Sequence, residues 1–258
     1  SQYISALLMI APCLENGLTL QLEGKIGSKP YIEMTLEIMQ HYGITSNWNN
    51  HTITVAPQPY RATDFSVEPD WSAASYWYSF VALSKNGSVL LTGLADRSVQ
   101  GDRVIADIME DLGVHTEFTK EGALLTKKTH QQSVVIDFSD CPDLAQTICA
   151  ICAVKGIKGN FTGLESLKIK ETDRVAALQT ELSKIGAQLI ETEKNWRLEV
   201  SNELPASIEV NTYEDHRMAM AFAPLCLFMD ISFDDQEVVR KSYPHFWDDV
   251  ANATTALG

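Results

Sequence analysis

Leu144-Ala145-Gln146-Thr147-Ile148-Cys149-Ala150-Ile151-Cys152-Ala153-Val154 is apolar on almost every side. A helix of that kind belongs inside a core, since no polar stripe is left to face water. Downstream comes a short β-rich run, Gly159 to Thr162, and then an amphipathic helix that ends at Ile185-Gly186. Gln188 to Val200 follows as a hairpin with Glu193-Lys194-Asn195 at its turn. The same order recurs on both sides. All-apolar stretches run Tyr3 to Leu14, Ala73 to Leu83 and Met218 to Met229. Strands are expected at Leu18 to Leu22, Ser88 to Thr92 and Ile231 to Phe233. Amphipathic stripes such as Ile32, Leu36, Met39 and Ile105, Ile108, Leu112 come next. Hairpins are expected over Thr45 to Val55, turning at Asn49-Asn50, and over Val114 to Thr126, turning at Glu121-Gly122.

The glycines that close the amphipathic helices are Gly43, Gly113, Gly186 and Gly258, spaced by 70, 73 and 72 residues. Glycine just past a helix takes the left-handed conformation at no steric cost. With an outer strand leading into each unit, the repeat is a β-α-β-α-β-β module. The pattern predicts an α/β fold of a few modules arranged around buried helices. Ala56-Pro57-Gln58-Pro59-Tyr60-Arg61 is the best linker. It leaves one module before it and three after, the last without a hairpin. Residues 1–62 are therefore expected to be the remnant of one domain, and residues 63–258 a second domain of three modules with the last incomplete.

The bulk numbers exclude several classes. A net charge of −14 makes a poor general binder of nucleic acid, whose affinity rests on cations meeting phosphates. A locally basic pocket for a small anion remains compatible with it. The apolar runs are too short to span a bilayer, and no basic segment opens the chain as a signal peptide does. Cys13, Cys141, Cys149, Cys152 and Cys226 are odd in number and irregular in spacing, which fits a reducing cytoplasm. Cys149 and Cys152 lie in the apolar helix and read as packing rather than redox or metal chemistry. No metal-ligand spacing, glycine-rich phosphate loop or nucleophile motif stands out.

Polar residues gather where helices begin. Asp70, Ser72 and Asp102 read as N-caps. The cations there are harder to explain. Lys29, Lys170, Arg174, Arg217 and Lys241 lie near expected helix N-termini, where the helix dipole disfavours positive charge. A bound anion resolves the conflict, because exposed N–H groups and nearby cations together make a phosphate or carboxylate site. Asp143, Glu171, Asp173, Glu214, Asp215 and His216 stand beside these cations. Each singly is more often a cap or salt-bridge partner, and burial can tune some of them for proton transfer.

Two longer motifs, Lys170-Glu171-Thr172-Asp173-Arg174 and Asp215-His216-Arg217-Met218-Ala219-Met220, resemble signature segments of the 5-enolpyruvylshikimate-3-phosphate synthases. Ser1-Gln2-Tyr3, Ser28-Lys29-Pro30-Tyr31, the segment from Val67 to Tyr76, and Asp140-Cys141-Pro142-Asp143 match in the same order. The resemblance covers the whole chain and corresponds to the carboxy-terminal part of that family. It implies inverse α/β, barrel-like domains built from βαβαββ modules, as in enolpyruvyl transferases. The implied reaction moves the enolpyruvyl group of phosphoenolpyruvate to the 5-hydroxyl of shikimate 3-phosphate, releases phosphate and uses no cofactor or metal.

By the same resemblance, Ser1, Gln2, Ser28, Asp143, Ser166 and Lys170 hold shikimate 3-phosphate, with Ser166 standing where the family often has Asn. Arg174, Arg217 and Lys241 hold phosphoenolpyruvate. Asp143, Glu171 and Lys241 are the implied catalytic groups, Asp143 at the attacking hydroxyl and Glu171 at the methylene carbon. His216 lies near the site with no assigned role. The family is monomeric and has no nucleic-acid or membrane partner; self-association is an expectation for a partial chain. An amino-terminal lysine, an Asn-Gly-Gly-type loop and an arginine of the family have no counterpart here, so impaired turnover is expected. The competing readings are an anion-binding fragment without catalysis and an enolpyruvyl transferase with another acceptor.

Overall fold

The computed structural model describes residues 1–24, 26–201 and 203–257. The chain divides into two units, Ser1–Glu68 with Arg97–Gly101, and Pro69–Asp96 with the residues from Asp102 onward. The first unit runs α1 (Gln2–Ile10), β1 (Leu18–Gln21), α2 (Lys29–His41), β2 (Asn47–Asn49) and β3 (Thr52–Val55). Its antiparallel sheet has the order β1-β3-β2. Asn50 at the hairpin turn has φ 52°, a left-handed conformation that Asn tolerates better than most residues. The turn sits one residue later than the sequence indicates, because Asn49 pairs with Thr52.

The second unit continues with α3 (Trp71–Leu83), β4 (Ser88–Thr92), α4 (Ile105–Leu112), β5 (Val114–Phe118), β6 (Gly122–Lys127) and β7 (Ser133–Asp137). Then come α5 (Ala145–Lys155), β8 (Lys158–Thr162), α6 (Arg174–Lys184), β9 (Ala187–Glu191) and β10 (Trp196–Val200). The last elements are β11 (Ser207–Val210), α7 (His216–Phe222), β12 (Asp230–Phe233) and α8 (Phe246–Leu257). The sheets are β4-β6-β5, β7-β8-β10-β9 and β11-β12. The pairs β7-β8 and β11-β12 are parallel, as an outer strand that crosses over through a helix must be. Residues 57–70, which precede α3, form no strand.

The three all-apolar helices α3, α5 and α7 pack on one another. Every residue of α5 from Ala145 to Val154 is buried, which accounts for the missing polar stripe. Cys149 and Cys152 pack in this core, and burial raises both thiols, Cys152 to about 12. Two apolar stretches stop short of their expected helical ends. α1 gives way to a 3-10 turn at Ala11–Cys13 and α7 to another at Ala223–Leu227. Pro12 and Pro224 stand at those points, and proline removes a donor and clashes with the preceding turn. α1 also corrects the expectation of a buried helix. Tyr3, Leu7, Met9 and Ile10 are exposed and Leu8 alone in α1 is buried, because α1 packs mainly on α2. Gly43, Gly113 and Gly186 all have positive φ, while Gly258 lies outside the described residues.

Candidate functional site

α6 begins with Arg174 because Asp173 caps it, accepting from the Ala176 N–H at 3.0 Å. Arg174, Val175, Leu178, Glu181 and Leu182 share the inward stripe of this helix, so its first side chain points into the protein. Arg174 is 1% exposed and meets three carboxylates. Its Nε donates to Asp215 Oδ2 at 2.6 Å, Nη1 to Asp143 Oδ1 at 3.0 Å and Nη2 to Glu171 Oε2 at 2.7 Å. A guanidinium is the one cation whose planar fork can serve three acceptors at once.

Asp143 lies in the 3-10 turn Pro142–Leu144 that leads into α5. Its other oxygen, Oδ2, accepts from Arg217 Nη2 at 2.9 Å, and Lys170 Nζ stands 3.6 Å from Oδ1. One carboxylate is thus shared by two arginines and a lysine. Arg217 sits in the first turn of α7, which Asp215 caps by accepting from the Arg217 N–H at 2.9 Å. The Arg217 Nη1 points to the Tyr76 hydroxyl at 3.5 Å, and burial raises that phenol to about 12. Lys241 Nζ lies 3.4 Å from the Glu214 carbonyl oxygen. His216 is buried, its Nδ1 has no hydrogen-bond partner among the described residues, and it stands 3.6 Å from Asp215 Oδ1. Burial and the neighbouring Arg217 lower His216 to about 4, so it is a neutral imidazole at neutral pH.

Several sequence readings change here. Arg174, Arg217 and Lys170 lean on side-chain carboxylates, so protein groups already answer the charge conflict at these helix ends. Lys29 pairs with Glu33 at 2.8 Å. Lys241 ends a 3-10 turn, Glu237–Lys241, and does not open a helix; α8 starts at Phe246. Asp70 caps α3 as expected, through the Ser72 and Ala73 N–H groups. Asp102 and Ser72 are not caps. The Ser72 hydroxyl donates to Asp102 Oδ2, while Asp102 Oδ1 is buried with no partner among the described residues. Burial raises Asp102 to about 6. Ser72 and Tyr76 are four apart on α3 and share a face.

Asp143, Lys170, Glu171, Arg174, His216, Arg217 and Lys241 all belong to the second unit, and Ser166 is half-buried in the 3-10 turn Glu165–Ile169 of the same unit. Ser1, Gln2 and Ser28 belong to the first unit. Ser1 and Gln2 are exposed at the start of α1, and Ser28 is buried at φ 54° before α2. Two contributors carry no assigned role in the sequence reading: Asp215, which neighbours the cations and opens a signature segment, and Tyr76, which ends a matching segment.

Residues 1–250 match the family described as EPSP synthase (3-phosphoshikimate 1-carboxyvinyltransferase). The chain belongs to the EPSP synthase family. A 3-phosphoshikimate 1-carboxyvinyltransferase of Bacteroides fragilis is 49% identical over 98% of the chain, and one from Methanospirillum hungatei is 34% identical over 97%. The chain spans 63% and 59% of the lengths of these EPSP synthase relatives. The solved EPSP synthase of Acinetobacter baumannii superposes with a TM-score of 0.78 at 19% identity, over 98% of this chain and 60% of that one. An enolpyruvyl transferase from Streptomyces tendae superposes with a TM-score of 0.65 at 12% identity, over 97% and 59%. Both structures share the α/β fold expected of the EPSP synthase and wider enolpyruvyl transferase group. No helix among the described residues is long and apolar enough to cross a membrane.

Proposed function

We propose that the protein serves transfer of the enolpyruvyl group from phosphoenolpyruvate to the 5-hydroxyl of shikimate 3-phosphate, with release of phosphate, in the cytoplasm. The observation that supports it best is Asp143 held between Arg174, Arg217 and Lys170. Both substrates carry a phosphate and a carboxylate, and a cluster of forked cations suits such anions. Arg174, Arg217 and Lys241 would take phosphoenolpyruvate. Lys170, Ser166 and Asp143 would take shikimate 3-phosphate.

Asp143 would accept the proton of the attacking hydroxyl, while the cations on its oxygens keep it ionised. Glu171 is better placed to move a proton. Its side chain is 43% exposed and only Oε2 is tied to Arg174, so Oε1 is available to a methylene carbon. Addition protonates that carbon and elimination deprotonates it, and one carboxyl can do both. Neutral His216 can accept or donate a hydrogen bond without adding charge. The same proposal takes residues 1–62 as one module of a first domain and residues 63–258 as three modules of a second. It also takes the exposed apolar side of α1 as a surface for self-association.

Calorimetric titration of the chain with phosphoenolpyruvate and with shikimate 3-phosphate, beside a coupled phosphate-release assay, tests the proposal. Saturable binding of both ligands, weakened by Arg217→Ala, is the expected result, with turnover far below that of a full-length relative. Binding of neither ligand would sink it.

A further inference from the structure

Glu181 is fully buried on α6 and carries a full set of partners on both oxygens. Oε1 accepts from the Tyr213 hydroxyl at 2.8 Å. Oε2 accepts from the Asn211 N–H at 3.3 Å and pairs with Lys184 Nζ at 2.7 Å. Both donors outside the helix lie in the segment that leads into α7. That segment is strained. Tyr213 and Glu214 sit at φ 56° and φ 57°, consecutive left-handed conformations that residues with a side chain rarely adopt. Such geometry persists only where surrounding contacts over-determine it.

Asp234 holds one point by accepting the Thr212 N–H at 2.8 Å, and the Asp215 N–H closes the turn onto the Thr212 carbonyl at 2.9 Å. Lys241 Nζ reaches the Glu214 carbonyl at 3.4 Å, and further grips come from α6. Arg174 takes Asp215 at the far end and Glu181 takes Asn211 and Tyr213 at the near end. The two residues are seven apart, two turns, on one face of one helix. α6 therefore clamps the loop at two places, and the loop delivers Asp215, His216 and Arg217.

We infer that Glu181 is a positioning residue for the candidate anion site, acting through Tyr213 to hold the strained turn that aims Arg217 and His216. The inference rests on reading the cluster around Asp143 as an anion site. The chemistry requires a carboxylate. Both oxygens face donors, so an amide in the same place turns an N–H2 toward one of them. Glu181→Gln and Tyr213→Phe therefore break the same anchor from its two sides, and Tyr213→Phe removes a single oxygen from a half-buried ring.

Amide hydrogen exchange of both variants, with the affinity of each for inorganic phosphate, tests the inference. Expected is exchange on the order of ten-fold faster at Thr212 to Arg217, while amides of Leu178 and Leu182 keep their rates. Phosphate affinity should fall in both variants, and the double variant should be no worse than Glu181→Gln alone, since the contact Tyr213→Phe removes is one of those Glu181 makes. Unchanged loop exchange would overturn the inference, as would loosening spread evenly through α6. A loosened loop with undiminished phosphate affinity would overturn it too. If the unaltered protein binds no phosphate, the anion-site reading fails by itself, and the exchange rates still decide whether Glu181 anchors the loop.

Discussion

Arg174 is 1% exposed, and burial of a charge is tolerated only with close partners. Asp215, Asp143 and Glu171 supply them, and they need the arginine as much as it needs them. Removing one member of such a cluster leaves like charges together in a poorly solvated place. Arg174→Ala is expected to destabilise the second unit by about 3–5 kcal/mol, read from urea denaturation. Arg174→Lys should recover only part of it, because the three donors of an ammonium radiate from one nitrogen and cannot span the carboxylates that Nε, Nη1 and Nη2 reach separately. Asp102 makes the opposite case. Its folded value of about 6 lies above the ordinary 3.8, because burial disfavours the charged form. A raised carboxyl favours folding while protonated, and that contribution is lost as pH rises from about 4 to about 6. His216 runs the other way. Its lowered value near 4 means that the unfolded chain takes up the proton first, so stability is lost as pH falls below about 6.5. Asp102→Asn isolates the first effect. The stability difference between variant and parent should shift in the variant's favour by on the order of 2–3 kcal/mol between pH 4 and pH 7.5. Denaturation midpoints across that range measure it, and a flat difference would remove Asp102 from the set of buried charges.

At the level of elements, Gly113 closes α4 at φ 101°, and its neighbourhood is crowded. Lys155, the last residue of α5, reaches the carbonyls of Ala82 and Leu112 at 3.1 and 2.9 Å, so one ammonium serves the ends of α3 and α4. A Cβ on Gly113 would stand 2.8 Å from that Nζ and 3.0 Å from the Lys128 carbonyl oxygen. Gly113→Ala should therefore cost about 1–3 kcal/mol, from backbone strain and a displaced lysine together, seen as a lower denaturation midpoint. This glycine was legible in the sequence because its demand is local: a helix stops there and nothing else takes the conformation so cheaply. β4 was legible to the residue and the β9-β10 hairpin around Thr192 to Asn195, while the outer strand expected before α3 does not form. What stayed hidden depends on partners far along the chain. Ser72 and Asp102 have the composition of caps, and only folding turns them toward each other across thirty residues. Arg174 looked like a cation awaiting an anion, since its carboxylates come from a 3-10 turn before α5, the loop before α6 and the cap of α7. Proline explains where two apolar helices stop early. An apolar run says that a segment is inside, whereas Pro12 and Pro224 decide where its α-helical geometry ends.

For the whole molecule, the contrast between the two units leads to a difference in stability. In the second unit, three apolar helices bury one another and the sheets cover them, giving a core that runs from Trp71 to Phe246. In the first, the buried cluster is Leu8, Ala11, Ile32, Met39, Ile44, Ile53 and Val55. One helix of the same apolar kind is present there, and most of its side chains face outward. Burial stabilises by roughly 25 cal/mol per Å² of apolar surface, while ordering the backbone costs a similar amount per residue in every fold. A unit with one module has the full entropic cost and a fraction of the burial. It should open well below the free energy of global unfolding. Native-state hydrogen exchange is the direct measurement. Amides of α1, α2 and β3 should exchange through a sub-global opening, with denaturant dependence smaller than that of α5 and β8. Guanidinium unfolding followed by near-ultraviolet signals should then show two transitions, the earlier one carrying Trp48 and the later one Trp71, Trp77, Trp196 and Trp247. Leu7→Lys with Ile10→Lys separates stability from association. These residues are exposed, so the substitutions should leave the first transition nearly in place while reducing self-association seen by sedimentation velocity. A single transition with equal protection in both units would mean that something other than the visible core holds the first unit together.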